Sequence, residues 1–486
     1  MTRTLPTLLA CLFLLAVSLR AAVARADDAE KSVSDAKPVS YHKDIKPLFT
    51  ATCNGCHRPE KSKGDLDMTT HAALMKGGKH GVSVVPGEPG KSKLVEMISG
   101  SEPEMPDEGD PLKPEQVKLV ERWIKQGAKD DTPAFGTAKV EPATYTAAPV
   151  ISSLAFSPDG ALLAVNGYHE IVLHKSDGSE IAGRLVGEVP RIESIAFAKD
   201  GKFLAAAGGS PAEYGAVQIW DPAKKELVKA YRLSSDSLYG LSIAPDGQSV
   251  AVGAADKVVR RINIADGSLL MEFKAHADWV LGTVFTLDGK ELVSAGRDKA
   301  MKLIDAAQGR FVDDINNPLE QCISLARHPK EEQVIYGGDL GNARVYKISD
   351  NQARTAGRND TNKLKEFERQ PGPVSAVAFS PDGAAVALGS VGEVRVYDAS
   401  DTGKKLLTLS GHTGPIYAIA YKPDGSVIAT GGWDGMVRLF DAKTGNLIKQ
   451  FPSVPLQAPP APTPAAAPAA KPTDKPAAPA QQAEAK

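Results

Sequence analysis

Cys53-Asn54-Gly55-Cys56-His57 is the stretch of the chain whose residue types and spacing point most sharply to a particular chemistry. Two thiols separated by two residues can each form a thioether to a vinyl group of a haem, and the adjacent imidazole can serve as the proximal ligand of the iron. Three other uses of these residues fit less well. A thioredoxin-like dithiol wants a βαβ setting, which the surrounding sequence lacks. A zinc site needs further Cys or His at ligand spacing, and none is clustered nearby. A disulfide between residues three apart leaves His57 without a role.

A second iron ligand has to come from outside the pentapeptide. Met105 leads the candidates, in the loop Ser101-Glu102-Pro103-Glu104-Met105-Pro106 between two helical segments. An extended loop closed by proline holds a thioether in place, and methionine ligation raises the reduction potential. Met97 lies on the apolar stretch Leu94-Val95-Glu96-Met97-Ile98, where core packing accounts for it. Met68, Met75, His71 and His80 stand as alternatives in a Gly-rich region, and a second histidine ligand would lower the potential. Glu102, Glu104, Asp107, Glu108 and Asp110 flank Met105. They read as an ordinary solvated loop or, as the sharper alternative, as a negative rim offered to a basic redox partner.

These residues need helices to position them. Ile45, Leu48, Phe49 and Cys53 recur at helical spacing. A second helix is expected over 114–126, with Val117, Val120, Trp123 and Ile124 on one face and Gly127 as the stop. Residues 40–129 form a small helical domain on this reading. It resembles the planctomycete-type cytochrome c family through the Cys53–His57 motif, Leu66-Asp67, Gly77-Gly78, Val85-Pro86-Gly87 with Ser92, Met105-Pro106, and the run from Leu119 through Trp123-Ile124 to Gly127-Ala128. The resemblance implies an all-α fold holding one covalently bound haem c through Cys53, Cys56, His57 and Met105. The acidic run Asp107-Glu108-Gly109-Asp110 departs from the family pattern.

The flanking segments bear on compartment. Arg3, the apolar run from Leu8 to Val17 and the small-x-small site Ala24-Arg25-Ala26 read as a cleavable signal peptide over 1–26. The apolar run is about half the ~20 residues a spanning helix needs, so no membrane span is expected after cleavage. Cleavage removes Arg3, Arg20 and Arg25 and no acid, taking the formal charge from −2 to −5. That balance argues against a basic nucleic-acid binder. The mature chain keeps Cys53, Cys56 and Cys322, too few for a disulfide-built scaffold of this length. Export, to a periplasm, fits covalent haem attachment. Residues 453–486 are Pro/Ala-rich and read as a solvated polyproline-like tail.

From residue 149 to 452 the chain repeats itself. The anchors are Phe156-Ser157-Pro158-Asp159-Gly160, Ala198-Lys199-Asp200-Gly201, Ala244-Pro245-Asp246-Gly247, Thr286-Leu287-Asp288-Gly289, His328-Pro329-Lys330-Glu331, Phe379-Ser380-Pro381-Asp382-Gly383 and Lys422-Pro423-Asp424-Gly425, at steps of 41, 46, 42, 42, 52 and 42 residues. The longest step places a polar insertion near 355–365. Four short strands per repeat at this period is the pattern of a WD-type blade. The region resembles the WD-repeat family, although only Trp220-Asp221 keeps the signature dipeptide at the end of a third strand. The family's structural hydrogen-bond set is matched by His276, Ser294 and Asp298, and again by His412, Thr430 and Asp434. Seven anchors imply an all-β, seven-bladed propeller, in which 446–451 can supply the last outer strand. Between the two regions, 130–148 reads as a linker, extensible to roughly 60 Å, so the regions need not touch. Cys322 reads as a small buried hydrophobe.

Three functions follow as expectations. The leading one is an exported electron carrier, with one haem exchanging electrons through its edge with redox partner proteins and the propeller docking a protein. A second makes the chain a subunit of a periplasmic oxidative or degradative enzyme system, its propeller binding a substrate or a partner dehydrogenase. The third is a haem-sensing scaffold. An electron carrier needs no catalytic residues of its own, and no catalytic set stands out in the repeats.

Overall fold

The structure, a computed structural model, describes residues 37–457 apart from 60, 318, 349–359 and 401. The expected signal peptide, most of the Pro/Ala-rich tail and the first part of the polar insertion lie outside the described residues.

Short helices build the N-terminal region because caps and prolines punctuate it. A wide turn, Tyr41–Ile45, opens with the Ser40 hydroxyl accepting the Lys43 N–H, and runs into the helix Lys46–Thr52. Pro47 occupies its first turn, where a missing N–H costs nothing. Thr70 caps His71–Lys76 by accepting the Ala73 N–H at 3.1 Å. Further on come Lys93–Ile98 and Pro114–Lys125, the latter opened by the Gln116 side chain accepting the Lys113 N–H at 2.8 Å. Their apolar faces meet in one core of Tyr41, Ile45, Phe49, Leu74, Val95, Val120, Trp123 and Ile124. The all-α expectation for this region is met by its core elements, with one two-residue ladder added. His57–Arg58 pairs antiparallel with Lys61–Ser62, because the chain doubles back after the cysteine motif and the Lys63 N–H reaches the Cys56 carbonyl at 3.1 Å.

From Leu154 onward the chain is a succession of antiparallel sheets. Among the described residues they comprise three sheets of four strands and two of seven. The seven-stranded sheets arise because two 17-residue strands each serve two neighbours. In Ile181–Phe197 the first half pairs with Tyr168–Lys175 and the second with Leu204–Ser210. Lys405–Tyr421 bridges Val391–Asp398 and Val427–Gly432 in the same way.

Every Asp-Gly anchor is a tight turn between the first and second strand of a unit. Gly160, Gly201, Gly247, Gly289, Gly383 and Gly425 all have φ between +70° and +82°, a region only glycine enters freely. Each donates its N–H to the residue three back, as Gly160 does to the Ser157 carbonyl at 2.8 Å. At the anchor without Asp-Gly, His328 Nδ1 accepts the N–H groups of Lys330 and Glu331 and does the work of the missing aspartate.

Among the described residues none of the sheets returns hydrogen-bonded onto its own first strand. The first and last units meet by packing. Ile151, Leu154 and Phe156 share a core with Ala418, Ala429, Val437 and Leu439, and the Ile151 N–H donates to the Gly432 carbonyl at 3.0 Å. A strap reinforces this seam from outside, where Tyr145, Val172 and Val454 form a small cluster and Tyr145 bridges in parallel to Leu456.

The segment 130–148 does not hold the two regions apart. The Glu188 carboxylate accepts the N–H groups of Gly136 and Ala138 at 2.9 and 2.7 Å. Phe135 stacks edge-on against Tyr214 while the Arg232 guanidinium covers both rings. Tyr145 donates to the fully buried Glu170 carboxylate at 2.6 Å, which Arg184 grips with two nitrogens. Lys46, at the start of the helix leading to Cys53, pairs with Glu213 in the repeat region at 3.1 Å.

Candidate functional site

Cys53, Cys56, His57 and Met105 all line one cavity of about 320 Å³ in the N-terminal region. Two pieces of chain supply them, the pentapeptide and the loop at Met105, and neighbouring elements hold each in place. The helix Lys46–Thr52 ends as the Cys53 N–H donates to the Phe49 carbonyl, and the next turn closes with the N–H groups of Cys56 and His57 both on the Cys53 carbonyl at 3.1 Å. His57 is then tied to the far wall, its carbonyl accepting the Met68 N–H at 3.0 Å. Met105 is hung from the helix Lys93–Ile98, its N–H donating to the Met97 carbonyl at 2.9 Å.

The walls are mainly apolar, from Leu66, Met68, Leu94, Met97, Ile98 and Leu112. Lys63 and Asp107 stand at the edge and pair at 3.1 Å, joining the loop after the cysteine motif to the loop after Met105. Cys53 and Cys56 are free, half-buried thiols. Burial pushes the Cys53 thiol above its ordinary value, outweighing the contact with the Thr52 hydroxyl at 3.3 Å. The Nδ1 of His57 is buried without a hydrogen-bond partner.

The geometry sorts the competing residues. His71 does not line this cavity; its Nε2 lies 2.7 Å from the Ala128 carbonyl and its ring packs edge-on against Tyr41 and Trp123. Met75 packs against the core outside the cavity lining. Met68, Met97 and His80 do reach the lining, and Met97 therefore does more than fill the core. Leu112 is a wall residue that the sequence gave no hint of, because its signal is only an apolar residue in a loop.

This arrangement suits a flat, largely apolar group with reactive vinyl edges and a metal at its centre. Two thiols, an imidazole whose Nδ1 has no protein partner and a thioether from another loop line the same space. It suits a thiol-ligated ion less well. Among the described residues no three His, Cys, Asp or Glu side chains gather into a metal-binding group.

In the repeats, the expected hydrogen-bond sets are made. His276 Nε2 lies 2.7 Å from the Ser294 hydroxyl and its Nδ1 2.8 Å from Asp298. His412 Nε2 lies 2.7 Å from the Thr430 hydroxyl. Cys322 is buried, and burial pushes its thiol well up. No described helix is long and apolar enough to cross a membrane.

Residues 53–109 match the family model described as Planctomycete cytochrome C, a span that begins at the first cysteine and includes Met105. Residues 267–305 and 403–441 match the model of the WD domain, G-beta repeat. No curated protein matches the chain. The first match implies haem c, and the second a surface for protein partners. The chain thus joins a module of the planctomycete cytochrome c kind to a region of WD repeats.

Proposed function

We propose that the protein is an exported c-type cytochrome that passes electrons through one covalently bound haem, using a seven-bladed propeller as a docking platform. On this reading residues 1–26 direct export to a periplasm, 40–129 carry the haem, 130–148 seat that module, and 149–452 form the blades. The observation that carries it is the convergence of Cys53, Cys56, His57 and Met105 on a single apolar cavity.

When bound, haem supplies a one-electron couple at iron. The chain's residues do the rest. Cys53 and Cys56 would hold the haem as thioethers, one to each vinyl group. His57 and Met105 would hold the iron, one through an imidazole nitrogen and the other through a thioether sulfur. Leu66, Leu94, Ile98 and Leu112 exclude water, which bears on the potential along with the thioether ligand. Seven four-stranded units follow if each 17-residue strand is divided between two blades, and the shared core of Ile151 and Val437 supports closing the ring.

Secreted protein is expected to be coloured and to keep its haem after denaturation. Met105→Ala should abolish the ferric long-wavelength sulfur-to-iron band and lower the potential by on the order of 0.1 V, a fraction of the ~0.8 V that axial ligation spans. Colourless secreted protein with both thiols reactive overturns the haem assignment. An unchanged band in Met105→Ala overturns the ligand assignment alone.

A further inference from the structure

Residues from the first strand of every repeat line one cavity of about 740 Å³, from Leu154 in the first repeat to Ile419 in the last. Among the described residues only two charged side chains line it, Arg191 and Glu193. They stand two residues apart on Ile181–Phe197 and pair at 3.1 Å. The two are unequal. The Glu193 side chain is 15% exposed and the Arg191 side chain 61%, so the acid lies inside while its partner lies largely in water. Electron transfer through the small module makes no use of this pair.

A buried carboxylate whose one charged partner is mostly solvated is short of positive charge. Burial pushes the Glu193 carboxyl above its ordinary value, against the pull of Arg191. An ionised carboxylate offers about four acceptor positions, and Arg191 is the one charged donor lining this cavity. The surroundings suit a further cation. Tyr239 comes from the next repeat, and burial first and then the Glu193 charge push its phenol up, which places it in the field of the same acid. Tyr417 lines the cavity from the last repeat, and the exposed Trp433 and Tyr168 line it as well. Aromatic faces attract an ammonium within about 6 Å of the ring. Leu281, Ile323 and Leu325 add apolar wall that matches an aliphatic stem. An anion gains little here, since Arg191 is already paired and Glu193 repels it.

We propose that this cavity takes a lysine side chain of a partner protein, with the ammonium on Glu193 in place of Arg191 and the stem along the apolar wall. The exchange is feasible because a largely exposed ion pair holds weakly and the freed guanidinium returns to water. A lysine site at this place rests on the docking role proposed above and not on the haem.

Binding of short blocked glycine peptides to the full chain, followed by saturation-transfer NMR, tests it. A peptide with one central lysine should bind about tenfold or more tightly than the same peptide with norleucine, which keeps the stem and lacks the charge. Glu193→Gln should bring the lysine peptide down to the norleucine level. Arg191→Ala removes the competitor from an exposed position and should tighten lysine binding about two- to fivefold, a change of sign that a folding defect does not produce. Equal affinity for the two peptides leaves the docking role standing and overturns the lysine ligand. A lysine preference kept in Glu193→Gln, or weaker binding in Arg191→Ala, overturns the assignment to Glu193. Failure of both peptides to bind overturns the proposal and takes this cavity out of the docking role.

Discussion

His276 and His412 occupy equivalent places but have different neighbours. His276 stands between Ser294 and Asp298. At His412 the Arg438 guanidinium comes within 2.8 Å of Nδ1, while the nearer oxygen of Asp434 is 3.4 Å away. Arginine only donates, so Nδ1 must accept and the Nε2–H must point to Thr430. Burial first, and then the Arg438 charge, push His412 down to about 4, against the pull of Asp434. An unfolded histidine titrates near 6.5. Between those values the unfolded chain takes up a proton that the folded chain refuses. The associated stability is complete above about pH 6.5 and is lost as pH falls towards 4, on the order of 3 kcal/mol in all. Urea unfolding followed from pH 7 to 4 should show this slope, and His412→Gln should flatten it by close to one proton. The histidine, hydroxyl and aspartate were legible because the same spacings, 18 and 22 residues, recur in both units. Arg438 was not, because nothing in one dimension says that a third-strand arginine reaches the ring's Nδ1.

Elements set by local chemistry were the most legible. An Asp-Gly turn needs only its own residues, so six of the seven anchors could be read as turns from composition. The helix expected over 114–126 is observed as Pro114–Lys125 for the same reason, an apolar stripe between a proline start and a glycine stop. Contacts made by residues with no motif stayed hidden. Glu170 and Arg184 are 14 residues apart, and Tyr145 is 25 residues from Glu170. Only the fold puts them together. The seam between the first and last units is another such contact. A Cβ at Gly431 would lie 2.6 Å from the Ile151 side chain. Gly431→Ala is expected to destabilise the repeat region by about 1–3 kcal/mol through overpacking. Thermal unfolding followed by far-UV dichroism measures it. A neutral result would mean that the seam yields and that closure does not depend on this packing.

At the level of the whole molecule, the seating of 130–148 decides how the two regions are held. Its composition reads as a spacer, and its reach would allow the regions to move apart. Glu188, Tyr214, Arg232 and Glu213 come from the repeat region to meet it and its neighbour Lys46, and none of them carries a sequence signal. Glu188→Ala removes the acceptor of two backbone N–H groups. Hydrogen exchange at Gly136 and Ala138 is expected to speed up about tenfold or more, with the strands of the repeats unchanged. Unaltered exchange would show that Glu188 is not what secures the segment. The two long strands bear on how the molecule comes apart. Ile181–Phe197 and Lys405–Tyr421 leave no loop at which neighbouring units could separate. Partial opening should therefore release the outer units on either side of the seam as two doubled blocks, each melting as a single foldon, while the three four-stranded sheets between them open one at a time.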